Sequence, residues 1–381
     1  MRILCIMNHA DTGGAALAFS ELVEHLSFDY GVKCVVLTGK PNRINKYCDK
    51  LNIENYSFPF KNFISHEKQP EILWRKVLSL RHYLGNQVAL KSIEKTLDIA
   101  SFDLVYSNLD RIDIGAILAK KYERPHVWHL REHLDTDFKT LSIYNDYIDY
   151  MLAFPSRYIA VSDSVREAWL NRGLCPGSGI TTIYDGVDCN NIRRKDDWFR
   201  NGKVNFLFLG GYAESKGQKA FLDVMQQLDP SLIAQMTLTF YGQGDYGPVR
   251  DSITRDDVRA ATHFNGYRSD IYNFIGDYDV GINYSSSEGF GRVTVEYMAA
   301  GLVPLVSACG ANPEIVRDDQ DGYVVDSGDT SAVRSLLESI ITHKEALPAM
   351  ASEAIERAEV FSTSHHIQQM YDLFEEVINH G

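Results

Sequence analysis

Two glutamates bracket a glycine-rich segment, Glu288-Gly289-Phe290-Gly291-Arg292-Val293-Thr294-Val295-Glu296, in which the residue types suit the binding of an anionic polyol. An apolar run over residues 280–284 leads into it, and Gly301 ends the helix expected after it. Gly289 and Gly291 let the backbone come close to a ligand, and the first N–H groups of the helix point at whatever sits there. A diphosphate suits that position. Glu288, on the loop, can accept from sugar hydroxyls, and Glu296, a turn into the helix, from a ribose. A plain capped helix with an early glutamate is the simpler alternative. Glycines on both sides of Phe290, beside two acids, argue against it.

Other residues could join the chemistry. Lys216-Gly217 follows the apolar run 204–209, where a cation would meet a developing phosphate charge. Trp128-His129-Leu130-Arg131-Glu132-His133 ends an earlier strand, and if the strand persists, alternation puts 129, 131 and 133 on one face. Gly13-Gly14-Ala15 lies between the first strand and a helix over 16–26, as a tight turn or as a place where ligand nears backbone. It is not GxGxxG, and no acid ends the second strand, which argues against a nicotinamide enzyme. His129 and His133 form an HxxxH, but the segment leaves a strand and Glu132 is misplaced for a zinc site. Asp135-Thr136-Asp137 sits in a polar loop without further metal-site features, so no metal is expected.

The elements that must position these residues alternate between strand and helix along the whole chain. Strands are expected at 2–7, 33–37, 104–106, 126–129 and 158–161, then again at 204–209, 236–241, 262–264, 280–284, 303–307 and 322–325. The charged stretch 190–203 reads as a linker. Two successive open α/β series imply two Rossmann-like domains, whose ligands bind outside the carboxyl ends of the strands. A length of 381 residues fits two such cores.

Ser287-Glu288-Gly289-Phe290-Gly291 through Gly301, with Pro304-Leu305-Val306 and Pro313-Glu314-Ile315-Val316, resembles the E-x7-E region of glycosyltransferase family 4, retaining enzymes of the two-domain GT-B fold. The similarity extends through Gly310-Ala311-Asn312, Asp321-Gly322, Gly328-Asp329, Tyr241-Gly242-Gln243-Gly244, Phe264-Asn265-Gly266-Tyr267 and Ile183-Tyr184-Asp185-Gly186, covering most of 159–330. The front half resembles the family only weakly, through Gly13-Gly14-Ala15. The resemblance implies that Glu288 binds the donor sugar, Glu296 the ribose, and that Lys216 neutralises the leaving diphosphate. Gly14, Gly211, Gly266, Tyr267, Gly289, Phe290 and Gly291 would complete the donor site, with the base against the 266–267 and 242–244 loops. The family commonly has Arg after the strand glycine; here Gly211 stands there, and Arg292 is a candidate replacement cation. The family's strand-end His falls at Arg131, so Arg131, Glu132, His133 and His129 are the first-domain catalytic candidates.

The expected architecture is therefore GT-B: residues 1–190 for the acceptor, 195–360 for the nucleotide sugar with a cleft between them, and a crossover helix over 361–381. The expected activity is retaining, metal-independent transfer from a UDP-sugar, with GDP the runner-up, to a glycan or lipid-linked glycan, in polysaccharide biosynthesis. No cofactor is expected. A non-catalytic nucleotide-sugar-binding protein and a nucleotide-sugar epimerase are the alternatives.

Bulk properties agree. The net charge of −13 disfavours nucleic-acid binding. The charge is uneven: 25 Lys and Arg face 23 Asp and Glu through Lys195, and 13 face 28 beyond it. Basic and apolar residues alternate over 61–95 (Lys61, Lys68, Arg75, Lys76, Arg81, Lys91 and Lys95 with Phe63, Trp74, Leu78, Leu80 and Leu84), a pattern able to touch an anionic membrane surface or to serve as a solvated helix face. The six scattered cysteines suit a reducing cytosol. The first strand begins too early for a signal peptide, so a cytoplasmic protein, peripheral at the inner membrane face, is expected.

Overall fold

The computed structural model describes residues 1–8, 13–65, 72–133, 141–142, 144, 146–177 and 179–380. Asp135-Thr136-Asp137, Lys68 and the side chains of Trp74, Arg75 and Lys76 lie outside that set. The chain forms two compact units, one of 1–186 with 364–381 and one of 187–363.

In the first unit, β1 (Arg2–Met7), β2 (Lys33–Thr38), β3 (Glu54–Ser57), β5 (Leu104–Ser107), β6 (His126–Leu130), β8 (Arg157–Ala160) and β9 (Ile180–Thr182) form one sheet, while β4 (Ile64–Ser65) and β7 (Leu141–Ser142) pair apart from it. The sheet order is β3-β2-β1-β5-β6-β8-β9, parallel throughout. A parallel sheet must be covered on both faces, and β1 shows how alternation achieves it. Ile3, Cys5 and Met7 pack with Phe19, Leu22, Met370 and Phe374, from helices Gly14–Phe28 and Thr363–His380. Leu4 and Ile6 face Ala89, Leu90, Ile93 and Leu118, from helices Ile72–Thr96 and Ile114–Lys121. The C-terminal helix thus belongs to the first unit's core.

The second unit has a parallel six-stranded sheet of β10 (Val204–Leu209), β11 (Met236–Tyr241), β12 (Thr262–Asn265), β13 (Val280–Asn283), β14 (Val303–Ser307) and β15 (Tyr323–Val325), ordered β12-β11-β10-β13-β14-β15. Val204, Phe206 and Phe208 pack with Phe221, Leu222 and Met225 of helix Gln218–Met225 and Val333 and Leu337 of helix Thr330–Thr342. On the other face, helix Arg292–Ala300 presses Tyr297 flat against the sheet. A Cβ on Gly281 would meet that ring at 2.1 Å. The Tyr297 hydroxyl accepts from the Leu209 N–H (2.7 Å) and donates to the Ile282 carbonyl (3.2 Å), locking the helix to two strands.

Two expectations change. Residues 190–203 are part of the second unit rather than a linker, because their charges have fixed partners there. Lys195 Nζ meets buried Asp279 at 2.7 Å, and Arg193 Nη1 meets Asp277 at 2.8 Å. Asp279 also accepts from the N–H groups of Phe199 (3.1 Å) and Asn205 (2.7 Å). Strand β6 stops at Leu130, so alternation does not carry to His133; Arg131 leaves the ladder when its N–H turns to Asp110 Oδ1 at 3.3 Å.

Candidate functional site

In the second sheet the strand order reverses between β10 and β13, so the loops that follow these strands lead to opposite sides, and the carboxyl ends there are where open α/β sheets form a ligand crevice. Both loops carry the charged residues. They are tied together where they begin: the Ser286 N–H donates to the Ser215 carbonyl at 2.8 Å. Gly217, at φ +77°, lies so close to the Tyr284 carbonyl that a Cβ would be 2.2 Å from its oxygen. This contact carries Lys216 across to the other loop.

There Lys216 Nζ donates to Glu288 Oε2 at 2.9 Å, and Ser285 Oγ donates to the same oxygen at 3.2 Å. The Lys216 side chain is 36% exposed and that of Glu288 16%, so the pair keeps surface that a ligand can reach. The Glu288 backbone is fixed: its carbonyl accepts from the Ala311 N–H at 3.0 Å, and Gly310 packs directly on it. Three residues on, Gly291 (φ +98°) caps helix Arg292–Ala300 without a side chain of its own, and no acid stands in the first turn. Positive helix-end potential, a lysine and a glutamate therefore converge on one loop, an arrangement able to hold a phosphate and a polyol together.

Glu296 lies one turn further along that helix. Tyr272 donates its phenol to Glu296 Oε1 at 2.8 Å. Burial raises the Glu296 pKa above the usual glutamate range, while nearby Arg292 and the Tyr272 hydrogen bond oppose the rise. Arg292 itself is buried at the start of the helix. Phe290 is buried, its ring 5.8 Å from that of Phe361. Gly211 accepts through its carbonyl from the buried Gln218 amide at 2.9 Å. A Cβ at Gly211 would meet only the Gln243 carbonyl at 3.7 Å, so no backbone constraint requires glycine there. Gly266 and Tyr267 follow β12 and are exposed, and Gly289 is half-buried in the Glu288 loop.

The first-unit candidates separate into three settings. His129 and Arg131 share a buried cluster with Tyr106, Asn108 and Asp185. The Tyr106 hydroxyl lies 2.7 Å from His129 Nδ1 and 2.6 Å from Asn108 Oδ1. Arg131 donates through Nη1 to Asn108 Oδ1 at 3.0 Å and through Nη2 to Asp185 Oδ2. Burial, with the Arg131 charge, holds the His129 pKa far below the usual range and keeps the imidazole neutral. Glu132 pairs instead with Arg111, and its carbonyl accepts from the Trp169 indole at 3.0 Å. His133 turns to Ser164 Oγ at 2.8 Å. Gly14 opens helix Gly14–Phe28 behind Gly13 (φ +119°), next to the undescribed residues 9–12.

Several partners were not evident from sequence. Ser285 and Tyr272 carry no motif of their own. Asn108 could have been found from its place directly after a central strand, and Asp185 lay in the Ile183–Gly186 similarity without a role. Among the described residues no cluster of three or more His, Cys, Asp or Glu is placed to hold a metal ion.

Comparison with known proteins bears on the fold and the class of enzyme. Residues 190–357 match the family model described as glycosyl transferases group 1. The phosphatidyl-myo-inositol mannosyltransferase of Mycobacterium tuberculosis (strain H37Rv) is 26% identical over 297 residues, covering 74% of this chain and 76% of its own. A Methanocaldococcus jannaschii protein called uncharacterized glycosyltransferase MJ1178 is 22% identical over 325 residues, 84% of this chain and 86% of its own. Among solved structures, Anabaena Alr3699/HepE in complex with UDP-glucose superposes with a TM-score of 0.77 at 21% identity, covering 99% of this chain and all of that one. With two parallel α/β units, a matched group 1 domain and relatives spanning most of its length, this chain is a glycosyltransferase of GT-B fold.

Proposed function

We propose that the enzyme is a retaining, metal-independent transferase of the family 4 type that moves a sugar from a UDP-sugar to a hydroxyl of a glycan or lipid-linked glycan. The observation that carries this reading is the Lys216–Glu288 pair at the β10/β13 crevice, beside the Gly291-capped helix. Breaking the bond between the anomeric carbon and the diphosphate builds negative charge on the leaving oxygen. Lys216 and the helix N–H groups stabilise that charge without a metal. Glu288 accepts from the sugar hydroxyls and Glu296 from the ribose. The acceptor hydroxyl attacks from the face the diphosphate leaves, and its proton passes to a departing phosphate oxygen. No cofactor is needed, since the nucleotide sugar is itself a substrate. UDP is favoured because the Anabaena neighbour is described with UDP-glucose. The test is release of nucleoside diphosphate from UDP- and GDP-sugars in the presence of EDTA. We expect release from a UDP-sugar undiminished by the chelator. Donor binding without release, with any hydroxyl acceptor, would favour a non-catalytic binding protein.

The acceptor reading has its own support on helix Ile72–Thr96. Its inner face is fixed by Ala89, Leu90 and Ile93 and by buried His82 and Asn86, which lie 3.2 Å from the Asp113 carboxylate. Val77, Leu80, Leu84 and Val88 form a second apolar stripe at helical spacing that is 49–64% exposed, with exposed Arg81, Lys91 and Lys95 on the same helix. No described helix is long and apolar enough to cross a membrane. We propose that this stripe rests on an anionic bilayer at the cytoplasmic face, bringing lipid-linked acceptors to the enzyme. Replacing Leu80 and Leu84 together by glutamate removes apolar area and adds repulsion, and should weaken cosedimentation with phosphatidylglycerol vesicles by about tenfold or more. Equal sedimentation of variant and parent would rule out this face.

A further inference from the structure

Tyr272 sits in the turn Ile271–Asn273, outside every motif quoted above, yet its hydroxyl is 2.8 Å from Glu296 Oε1. The turn is braced from behind. The Arg193 N–H donates to the Tyr272 carbonyl at 3.0 Å, and Arg193 Nη1 reaches the Asn273 carbonyl at 3.3 Å. The same guanidinium is anchored on Asp277, and Gly276 lets the turn pack on the 193–195 backbone, where a Cβ would meet the Arg193 carbonyl at 2.8 Å. The phenol is therefore held by a rigid support rather than by a wandering loop. Glu296 Oε2 accepts no hydrogen bond among the described residues, and the side chain keeps partial exposure.

We propose that Tyr272 is a positioning residue for the donor ribose: by holding Oε1 it turns Glu296 so that Oε2 accepts from the 2′ and 3′ hydroxyls. This rests on the nucleotide-sugar reading given above. A free glutamate has three rotors to fix before it can accept a bidentate ribose contact, and a hydrogen bond to one oxygen removes most of that freedom in advance. The charge requirement points the same way. A ribose donates to the ionised carboxylate, burial opposes ionisation, and Arg292 from the same helix together with Tyr272 from the opposing turn favours it.

The experiment compares UDP and 2′-deoxy-UDP binding by calorimetry in the parent, Tyr272→Phe and Glu296→Gln, with donor KM and kcat followed from pH 5 to 8. The parent should prefer UDP by about tenfold, and Glu296→Gln should erase the preference. Tyr272→Phe should narrow it several-fold, raise KM more than kcat falls, and move the acid limb of 1/KM to higher pH, because the anion has lost a donor. Phenylalanine keeps the ring, so a thermal midpoint near the parent's is expected. An unchanged UDP/2′-deoxy-UDP ratio and acid limb in Tyr272→Phe, with the parent discriminating normally, would overturn the positioning role alone. A parent that binds neither nucleotide would overturn the nucleotide-sugar reading as well.

Discussion

Replacing Glu288 with glutamine should lower turnover of a UDP-sugar by roughly 10²–10³-fold while tightening the binding of free UDP by about fivefold. The two effects run in opposite directions because the side chain has two partners. On the proposed donor site its carboxylate accepts from the sugar and faces the positive charge that develops as the glycosidic bond breaks. Glutamine keeps the shape but loses that charge, which is felt most in the transition state. The same carboxylate oxygen lies 2.9 Å from Lys216 Nζ and competes with a diphosphate for that cation. A partly exposed ion pair of this kind is worth about 1 kcal/mol, and removing it frees Lys216 for the phosphate. Lys216→Met should weaken UDP and slow transfer together, so the pair of variants separates the two roles. Calorimetry with UDP and steady-state rates with the donor measure both. Glu288→Gln with parental turnover would remove Glu288 from the chemistry. Reduced turnover with unchanged or weaker UDP binding would mean that glutamate and diphosphate do not share Lys216.

How much of this could be read from sequence follows from where each interaction comes from. The central strands of the second unit are buried on both faces, so 204–209 and 303–307 read as near-continuous apolar runs. The edge strands Glu54–Ser57 and Ile180–Thr182 are half-buried and partly polar, and they escaped. Glu288, Gly291 and Glu296 were legible because one contiguous segment carries them, and glycine beside acid has few structural uses. Tyr272 and Ser285 were not, since a tyrosine or serine gains its role only when topology brings it to a partner. Charge misled in one place. Residues 190–203 look solvated by composition, but Lys195 is buried against Asp279 and Arg193 pairs with Asp277 nearer the surface, partners 84 residues away that no local pattern encodes. The missing cation at Gly211 stays unexplained, since the backbone there accommodates a side chain.

Substitution of Arg131, a catalytic candidate by family resemblance, should act first on stability. Its guanidinium is buried between Asp185 and Asn108, with His129 Nδ1 3.4 Å from Nη1. Arg131→Met leaves the Asp185 carboxylate in the interior without its counter-ion, a loss of about 3–5 kcal/mol. For a unit of this size that corresponds to a fall of roughly 6–20 °C in the first unit's thermal midpoint. Adding Asp185→Asn to Arg131→Met removes the uncompensated charge and should recover more than half of the loss, because what destabilises is the orphaned carboxylate rather than the missing attraction. Neutral His129 does not replace the lost charge, because burial, the largest cause of its lowered pKa, persists in the variant. A residue that worked only by touching the substrate would behave otherwise, with Arg131→Met folding as stably as the parent and losing turnover alone. Calorimetric scans of the single and double variants decide between these outcomes. An unshifted midpoint in the single variant would return Arg131 to the list of groups that act directly on the substrate.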